Sequence, residues 1–99
     1  MGELHYGPDM PSIELPDRVL AHLQLVIGAK LRRRESFYLR IREVDGSPSI
    51  ALWIAHSIQL QFRYQHLQPL EIDREWLRDL EEQSFTPAGI IISADDDTE

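Results

Sequence analysis

DRVLAHLQLVIGAKLRRR, residues 17–34, is the longest helical pattern in this chain of 99 residues and decides its fold. At about 100° per residue, one narrow face of the predicted helix carries Leu20, Leu23, Ile27 and Leu31. The Asp17 carboxylate is expected to cap the first turn, and the basic residues at the other end suit the negative end of the helix dipole. The leucine and isoleucine face therefore belongs in the core.

Apolar residues also lie on other sides of this helix. A helix that is apolar on more than one side is usually buried on more than one side. Two interpretations stay open: the additional face packs against other parts of the same chain, or a partner covers it, most simply a second copy. The candidate self-association face consists of Val19, Ala21, Leu25, Val26 and Gly28.

Short alternating strands flank the helix in the sequence. Two strands, at residues 3–6 and 12–15, are expected to form a hairpin at a sheet edge. Three more strands are expected at 36–43, 49–55 and 58–64. The turn signals between them, including Asp45–Gly46, predict an antiparallel meander. A second helix, at 74–84 and capped by Asp73, precedes a last strand at 90–93. The order β-β-α-β-β-β-α-β predicts an α+β fold, with the long helix packed on a mainly antiparallel sheet.

The length and composition indicate one domain, over residues 1–94, followed by an acidic disordered tail at 95–99. The chain has no cysteine, which excludes disulfides and cysteine zinc sites. No stretch approaches the roughly 18 consecutive apolar residues of a transmembrane helix, and no secretion signal is evident. We therefore expect a cytoplasmic protein that does not enter the membrane.

The net charge of −7 is unevenly distributed along the chain. Residues 18–42 contain seven basic residues and one acidic residue, Glu35. The second helix and the tail supply the negative excess. The acidic total therefore does not exclude a nucleic-acid partner, because the positive charge is locally concentrated.

The basic residues form an arginine strip across the end of the long helix and the strand after it. Arginine binds phosphate bidentately, and a tyrosine can stack on a base. In the alternative interpretation, these cations stabilise a helix terminus, keep a strand soluble, or pair with the acidic residues Asp79, Glu81 and Glu82. The strip consists of Arg32, Arg33, Arg34, Arg40 and Arg42, with Tyr38 between them.

No pattern in the chain predicts a catalytic residue, a cofactor site or a metal site. A Gly-rich phosphate loop, G-x-S-x-G and H-E-x-x-H are all absent from the sequence. The four histidines show no metal-ligand spacing; His22 is expected on the polar side of the helix and His56 in a turn. Trp53 and Trp76 both lie within regular patterns and are expected to pack in the core.

Several ordered motifs together resemble a family of small actinobacterial proteins. The motifs are RVLAHLQLVIGAKLRRRESF, LWIAHSIQLQFRY, PLEIDREWLRDL and TPAGI, and the resemblance extends from Gly2 to about Ile92. That family is catalogued mainly as a domain of unknown function, and some members carry the label "ATP-dependent DNA ligase". The resemblance implies that the chain is related to this family. None of the shared motifs is a catalytic signature.

The residues argue against ligase activity. Nucleotidyl transfer needs a lysine nucleophile in a Lys-x-Asp-Gly setting, whereas this chain has Glu43-Val44-Asp45-Gly46. Its single lysine, Lys30, is followed by Leu31 and two arginines. A ligase also needs a nucleotide-binding domain far longer than this chain.

Three functional hypotheses remain. The leading one is a non-enzymatic cytoplasmic interaction module that works as a homodimer or with another protein. The alternative is an accessory nucleic-acid-binding protein that uses the arginine strip. An enzyme with an unfamiliar site is the third, and it would require a pocket with convergent polar groups.

Overall fold

The structure is a computed structural model that describes residues 1–42, 49–66 and 71–93. The predicted α+β class and element order are confirmed. The predicted turn at Asp45–Gly46 and the predicted tail at 95–99 lie outside the described residues. The elements are β1 (Gly2–Tyr6), β2 (Ile13–Leu15), α1 (Asp17–Arg32), β3 (Phe37–Arg42), β4 (Ile50–Ile54), β5 (Leu60–Arg63), α2 (Arg74–Gln83) and β6 (Ile90–Ser93).

The strands form two sheets of three strands each. The first has the order β2-β1-β5 and is antiparallel throughout; the second has the order β4-β3-β6, in which β4 is antiparallel and β6 parallel to β3. A parallel pair requires a crossover connection, and α2 lies in the segment that leads to β6. Three of the four strand pairings are antiparallel, as predicted.

The predicted meander of β3, β4 and β5 is wrong. A tight turn, in which the Ile58 N–H donates to the Ala55 carbonyl, takes the chain out of the second sheet, and β5 pairs with β1 instead. The Tyr6 hydroxyl donates to the Trp53 carbonyl at 2.7 Å and joins the two sheets where they meet. The N-terminal hairpin is present at a sheet edge, as predicted: β2 is the edge strand and β1 is the central strand of its sheet.

Helix α1 is buried along one broad face, and the expectation that it is buried on more than one side is wrong. Val19 and Val26 lie beside the predicted stripe of Leu20, Leu23 and Ile27 on this face; all five are in the core cluster that both sheets and both helices share. Of the candidate self-association face, Val19 and Val26 are therefore unavailable to a partner, and that part of the expectation is wrong. Ala21 and Gly28 are partly exposed and Leu25 is 47% exposed. Self-association itself stays a prediction.

The Asp17 carboxylate does not cap α1, contrary to expectation, because it binds a different part of the chain. It accepts the Gln65 N–H at 3.1 Å and the His66 N–H at 3.0 Å, and so ties the start of α1 to the end of β5. Burial, together with the charge of Asp17, raises the pKa of the nearby Tyr64 hydroxyl, which donates to the Gln24 side chain. At α2 the expected cap is present: Asp73 accepts the Glu75 and Trp76 N–H groups.

Helix α1 ends two residues earlier than predicted, in a Schellman motif. Arg34 adopts a left-handed conformation, with φ of 60°. Its N–H donates to the Leu31 carbonyl, and the Glu35 N–H donates to the Lys30 carbonyl, both at 3.0 Å. Glycine is the residue usually found at this left-handed position, since a Cβ atom is unfavourable there. The chain turns here from α1 into β3.

Replacing Arg34 by glycine is expected to stabilise the protein by about 1 kcal/mol, because the left-handed strain is removed. Arg32→Gly is the matched control: it removes the same side chain from a residue that is still helical, and is expected to destabilise by about 0.5 kcal/mol. Urea denaturation of both variants measures the difference. Equal destabilisation by the two glycines would contradict the assignment of backbone strain to Arg34.

Candidate functional site

The second sheet has one face turned away from the core, and we call it the outer sheet face. Along β3 the side chains alternate strictly between buried and exposed, as expected for a strand with one side on the core. The antiparallel and parallel registers place outward residues of β4 and β6 beside those of β3. The outer sheet face consists of Tyr38, Arg40 and Arg42 on β3, Ala51 and Trp53 on β4, and Ile91 and Ser93 on β6.

Two aromatic rings lie side by side on the outer sheet face. Tyr38 and Trp53 are directly opposite each other on β3 and β4, and their ring centroids are 5.0 Å apart in an edge-to-face arrangement. Tyr38 is 44% exposed and Trp53 is 46% exposed. The expectation that Trp53 packs in the core is wrong, because Leu52 and Ile54 occupy the inward positions of β4. Trp76 is half-buried against the core.

Apolar exposure continues beside this pair. Ile91 on β6 is 40% exposed and lies opposite Arg40, across β3 from the β4 residue Ala51. An exposed tryptophan, tyrosine and isoleucine on one face are a costly arrangement unless something covers them, since each leaves apolar surface in water. The face is therefore a better candidate for binding than for solvation alone.

The arginines of β3 give this face a positive charge. Arg40 and Arg42 are exposed, and the outward positions of the described strand residues include no acidic side chain. The Arg40 Nε donates to the Ala88 carbonyl at 3.3 Å, which holds the guanidinium near the edge of β6. Within the described ranges, the arginines with carboxylate partners are Arg18 and Arg33, and Arg40 and Arg42 have none there.

The structure divides the predicted arginine strip into two parts. Arg33 forms ion pairs with Glu35 at 3.3 Å and with Glu81 of α2 at 3.4 Å, so it holds helices together at the surface. Arg32 and Arg34 are exposed near the end of α1, before β3 begins. Tyr38, Arg40 and Arg42 share the outer sheet face. Sequence reasoning placed the aromatic and basic residues of β3 correctly and missed Trp53 and Ile91 as their neighbours.

A buried histidine joins the two helices. His22 is fully buried, contrary to its expected position on the polar side of α1. Its Nδ1 lies 2.7 Å from the Arg18 carbonyl, and its Nε2 accepts the Asp73 N–H at 2.9 Å. Its ring lies 4.5 Å from that of Trp76, over which the Arg18 guanidinium also lies at 4.6 Å. Because both ring nitrogens have protein partners, this histidine is a structural residue.

The single lysine is also buried. The Lys30 ammonium is 3.0 Å from the Glu35 carboxylate and 3.7 Å from the centre of the Phe85 ring. The hydrogen bond from Lys30 holds the pKa of the Glu35 carboxyl below its usual value, and the charges of Lys30 and Arg33 act in the same direction. The ammonium is thus neutralised within the chain, in the same corner where Arg33 pairs with Glu81.

Other parts of the surface offer weaker sites. An open cleft of about 410 Å³ lies between the β1–β2 turn and the β4–β5 turn, lined by Tyr6, Pro8, Met10 and Ile58 among others, without a basic residue. In residues 1–42, 49–66 and 71–93, no group of three histidine or acidic side chains could hold a metal ion. The outer sheet face is therefore the strongest candidate.

The comparison with protein families finds a match that covers nearly the whole chain. The family profile described as Domain of unknown function (DUF7882) matches residues 1–95. The chain belongs to this family. DUF7882 therefore covers all the elements described above, including the whole outer sheet face. Searches of curated proteins and of solved structures find no match to this DUF7882 chain. Neither helix in the part of the chain that the structure describes is long and apolar enough to cross a bilayer.

Proposed function

We propose that this protein binds single-stranded nucleic acid on the outer sheet face and acts without catalysis. The observation that carries the proposal is the exposed pair of Tyr38 and Trp53 beside two arginines that lack carboxylate partners within the described residues. Stacking on aromatic side chains combined with backbone contacts to arginine is the general chemistry of single-strand binding. The absence of catalytic motifs from the sequence supports a binding role.

The geometry favours single strands over duplexes. An aromatic ring can stack only on a base whose face is accessible, and a duplex keeps its base faces stacked on one another. Arg40 and Arg42 are exposed and two residues apart on the strand that carries Tyr38, so both can bind phosphates of a single strand whose bases stack on the rings. Because every base has a π-face, this arrangement predicts little sequence preference.

The same face supports a second candidate, self-association. Tryptophan, tyrosine and arginine are the residues that dominate protein interfaces, and three large apolar side chains are exposed together here. A symmetric dimer through this face would, however, bring Arg40 and Arg42 of one copy towards those of the other, and like charges repel. Light scattering coupled to gel filtration tests self-association: a particle of twice the chain mass at micromolar concentration supports the dimer.

We also propose a cytoplasmic location and an accessory role beside nucleic acid. A cytoplasmic location suits a chain without cysteine, and an accessory role beside nucleic acid is compatible with the label that some members of the resembling actinobacterial family carry. Ligase activity forms no part of the proposal, since the chain has glutamate, Glu43, where the lysine nucleophile of the Lys-x-Asp-Gly motif would stand.

The proposal is tested by fluorescence anisotropy with labelled single-stranded DNA and RNA. At about 50 mM salt, Trp53→Ala is expected to weaken binding at least about fivefold, because one stacked base is worth about 1–3 kcal/mol. Arg40→Glu is expected to weaken it at least about tenfold and to reduce the dependence of affinity on salt, because a phosphate contact is replaced by repulsion.

Arg63→Glu is the matched control, because Arg63 is an exposed strand arginine on β5 of the other sheet. It makes the same change in net charge as Arg40→Glu and should lose much less affinity. If Arg63→Glu and Arg40→Glu weaken binding equally, the ligand does not lie on the outer sheet face. No binding by the unmodified chain at about 50 mM salt would contradict the proposed function.

A further inference from the structure

An acidic run at residues 95–99 follows β6, a strand of the outer sheet face, in the sequence. Its carboxylates belong to Asp95, Asp96, Asp97 and Glu99. Strand β6 runs parallel to β3, and its last residue, Ser93, lies opposite Arg42 in the register of the two strands. The chain therefore leaves the second sheet at the end where Arg42 lies.

We propose that this acidic segment docks on Arg40 and Arg42 and competes with nucleic acid for them. The inference rests on the proposed function of the outer sheet face and adds a regulator encoded in the same chain. The charges are complementary, since the described outward positions of the sheet carry arginines and no acidic side chain. Four carboxylates in five residues match the phosphates that the arginines would otherwise bind.

The reach of the segment fits this role. A chain spans at most about 3.3–3.6 Å per residue, so the residues from 94 to 97 can extend roughly 14 Å beyond Ser93. Arg40 precedes Arg42 by two residues, which is roughly 7 Å along a strand. Carboxylates of the segment can therefore approach both arginines. A ligand tethered this closely acts at an effective concentration in the millimolar range, enough to compete with a weakly bound nucleic acid.

The test compares two variants with the same net charge. In the first, the segment is neutralised by Asp95→Asn, Asp96→Asn, Asp97→Asn and Glu99→Gln. In the second, four exposed acidic residues around α2 are neutralised by Glu71→Gln, Glu75→Gln, Asp79→Asn and Glu82→Gln. The first variant is expected to bind a single-stranded oligonucleotide at least about threefold more tightly than the second at about 50 mM salt, and this advantage should shrink as salt screens the competition. Equal gains in affinity for the two variants would show that binding depends only on the total charge of the chain and would overturn the proposal.

A measurement without nucleic acid separates this inference from the proposed function. In a Trp76→Phe background, Trp53 is the only tryptophan, and its emission can be quenched by iodide, an anion, or by neutral acrylamide. Neutralising the segment should increase iodide quenching relative to acrylamide quenching more than neutralising the residues around α2 does. Unchanged iodide quenching overturns docking. If no variant binds nucleic acid, the proposed function fails, and iodide quenching alone decides whether the segment docks.

Discussion

Replacing His22 by alanine is expected to lower the free energy of unfolding by about 3–5 kcal/mol. The ring is fully buried between the helices, and its loss leaves a cavity beside Trp76. It also leaves the Asp73 N–H, ahead of the first turn of α2, without its acceptor. The lost hydrogen bond adds about 0.5–1.5 kcal/mol to the cost of the cavity. The total is a large fraction of the roughly 5–15 kcal/mol by which most proteins are stable.

Chemical denaturation at neutral pH measures this loss, with His56→Ala as the control. His56 is exposed in the turn after β4, so its replacement should change stability by less than about 0.5 kcal/mol. A loss below about 1 kcal/mol for His22→Ala would contradict the role of His22 as the link between α1 and α2. Unchanged helical content in that variant would lead to the same conclusion.

Replacing Gly89 by alanine is expected to destabilise the protein by about 3 kcal/mol or more and to disturb the pairing of β6 with β3. A Cβ atom at this position would lie 2.1 Å from the Tyr38 carbonyl oxygen, which is backbone and cannot move aside on its own. The residue also has φ of +80°, which disfavours any side chain. The change would therefore reach the outer sheet face, since Tyr38 and Ile91 depend on this strand pair.

Gly7→Ala separates the two contributions to this loss. Gly7 has φ of +67°, but a Cβ atom there meets open space, so only the backbone cost of about 1–2 kcal/mol is expected. The difference in destabilisation between the two variants measures how much stability depends on the close approach of β6 to β3. Equal losses at Gly7 and Gly89 would show that the approach is not needed for stability.

The sequence predicted the elements well because helices and strands depend on local periodicity. The strict alternation of Phe37, Leu39 and Ile41 identified the inward face of β3, and the apolar stripe of α1 identified its core side. The pairing of β5 with β1 was not predictable in this way. It joins residues far apart in the chain, and the alternating pattern of a strand does not indicate which other strand it pairs with.

Part of the candidate site was predictable, because local alternation also determines which residues of one strand share a face. Tyr38, Arg40 and Arg42 share a face because they alternate on one strand. Trp53 was assigned to the core because it lies within a regular strand pattern, although the inward phase of Leu52 and Ile54 already places it outward. His22 was misassigned because it lies outside the narrow leucine stripe, yet the buried face is broader than that stripe and includes His22 beside Val19 and Val26. Asp73, its partner, is 51 residues away, a contact that only the fold creates.

The most direct test of the proposed function is the emission of Trp53 in the Trp76→Phe variant during titration with a single-stranded oligonucleotide. Bases that stack on the outer sheet face should quench this emission saturably at about 50 mM salt, and at about 200 mM salt the quenching should largely disappear. If an oligonucleotide binds by anisotropy while the emission of Trp53 stays constant, the ligand lies elsewhere on the molecule. That result, or the absence of any binding at the lower salt, would contradict single-strand binding on the outer sheet face.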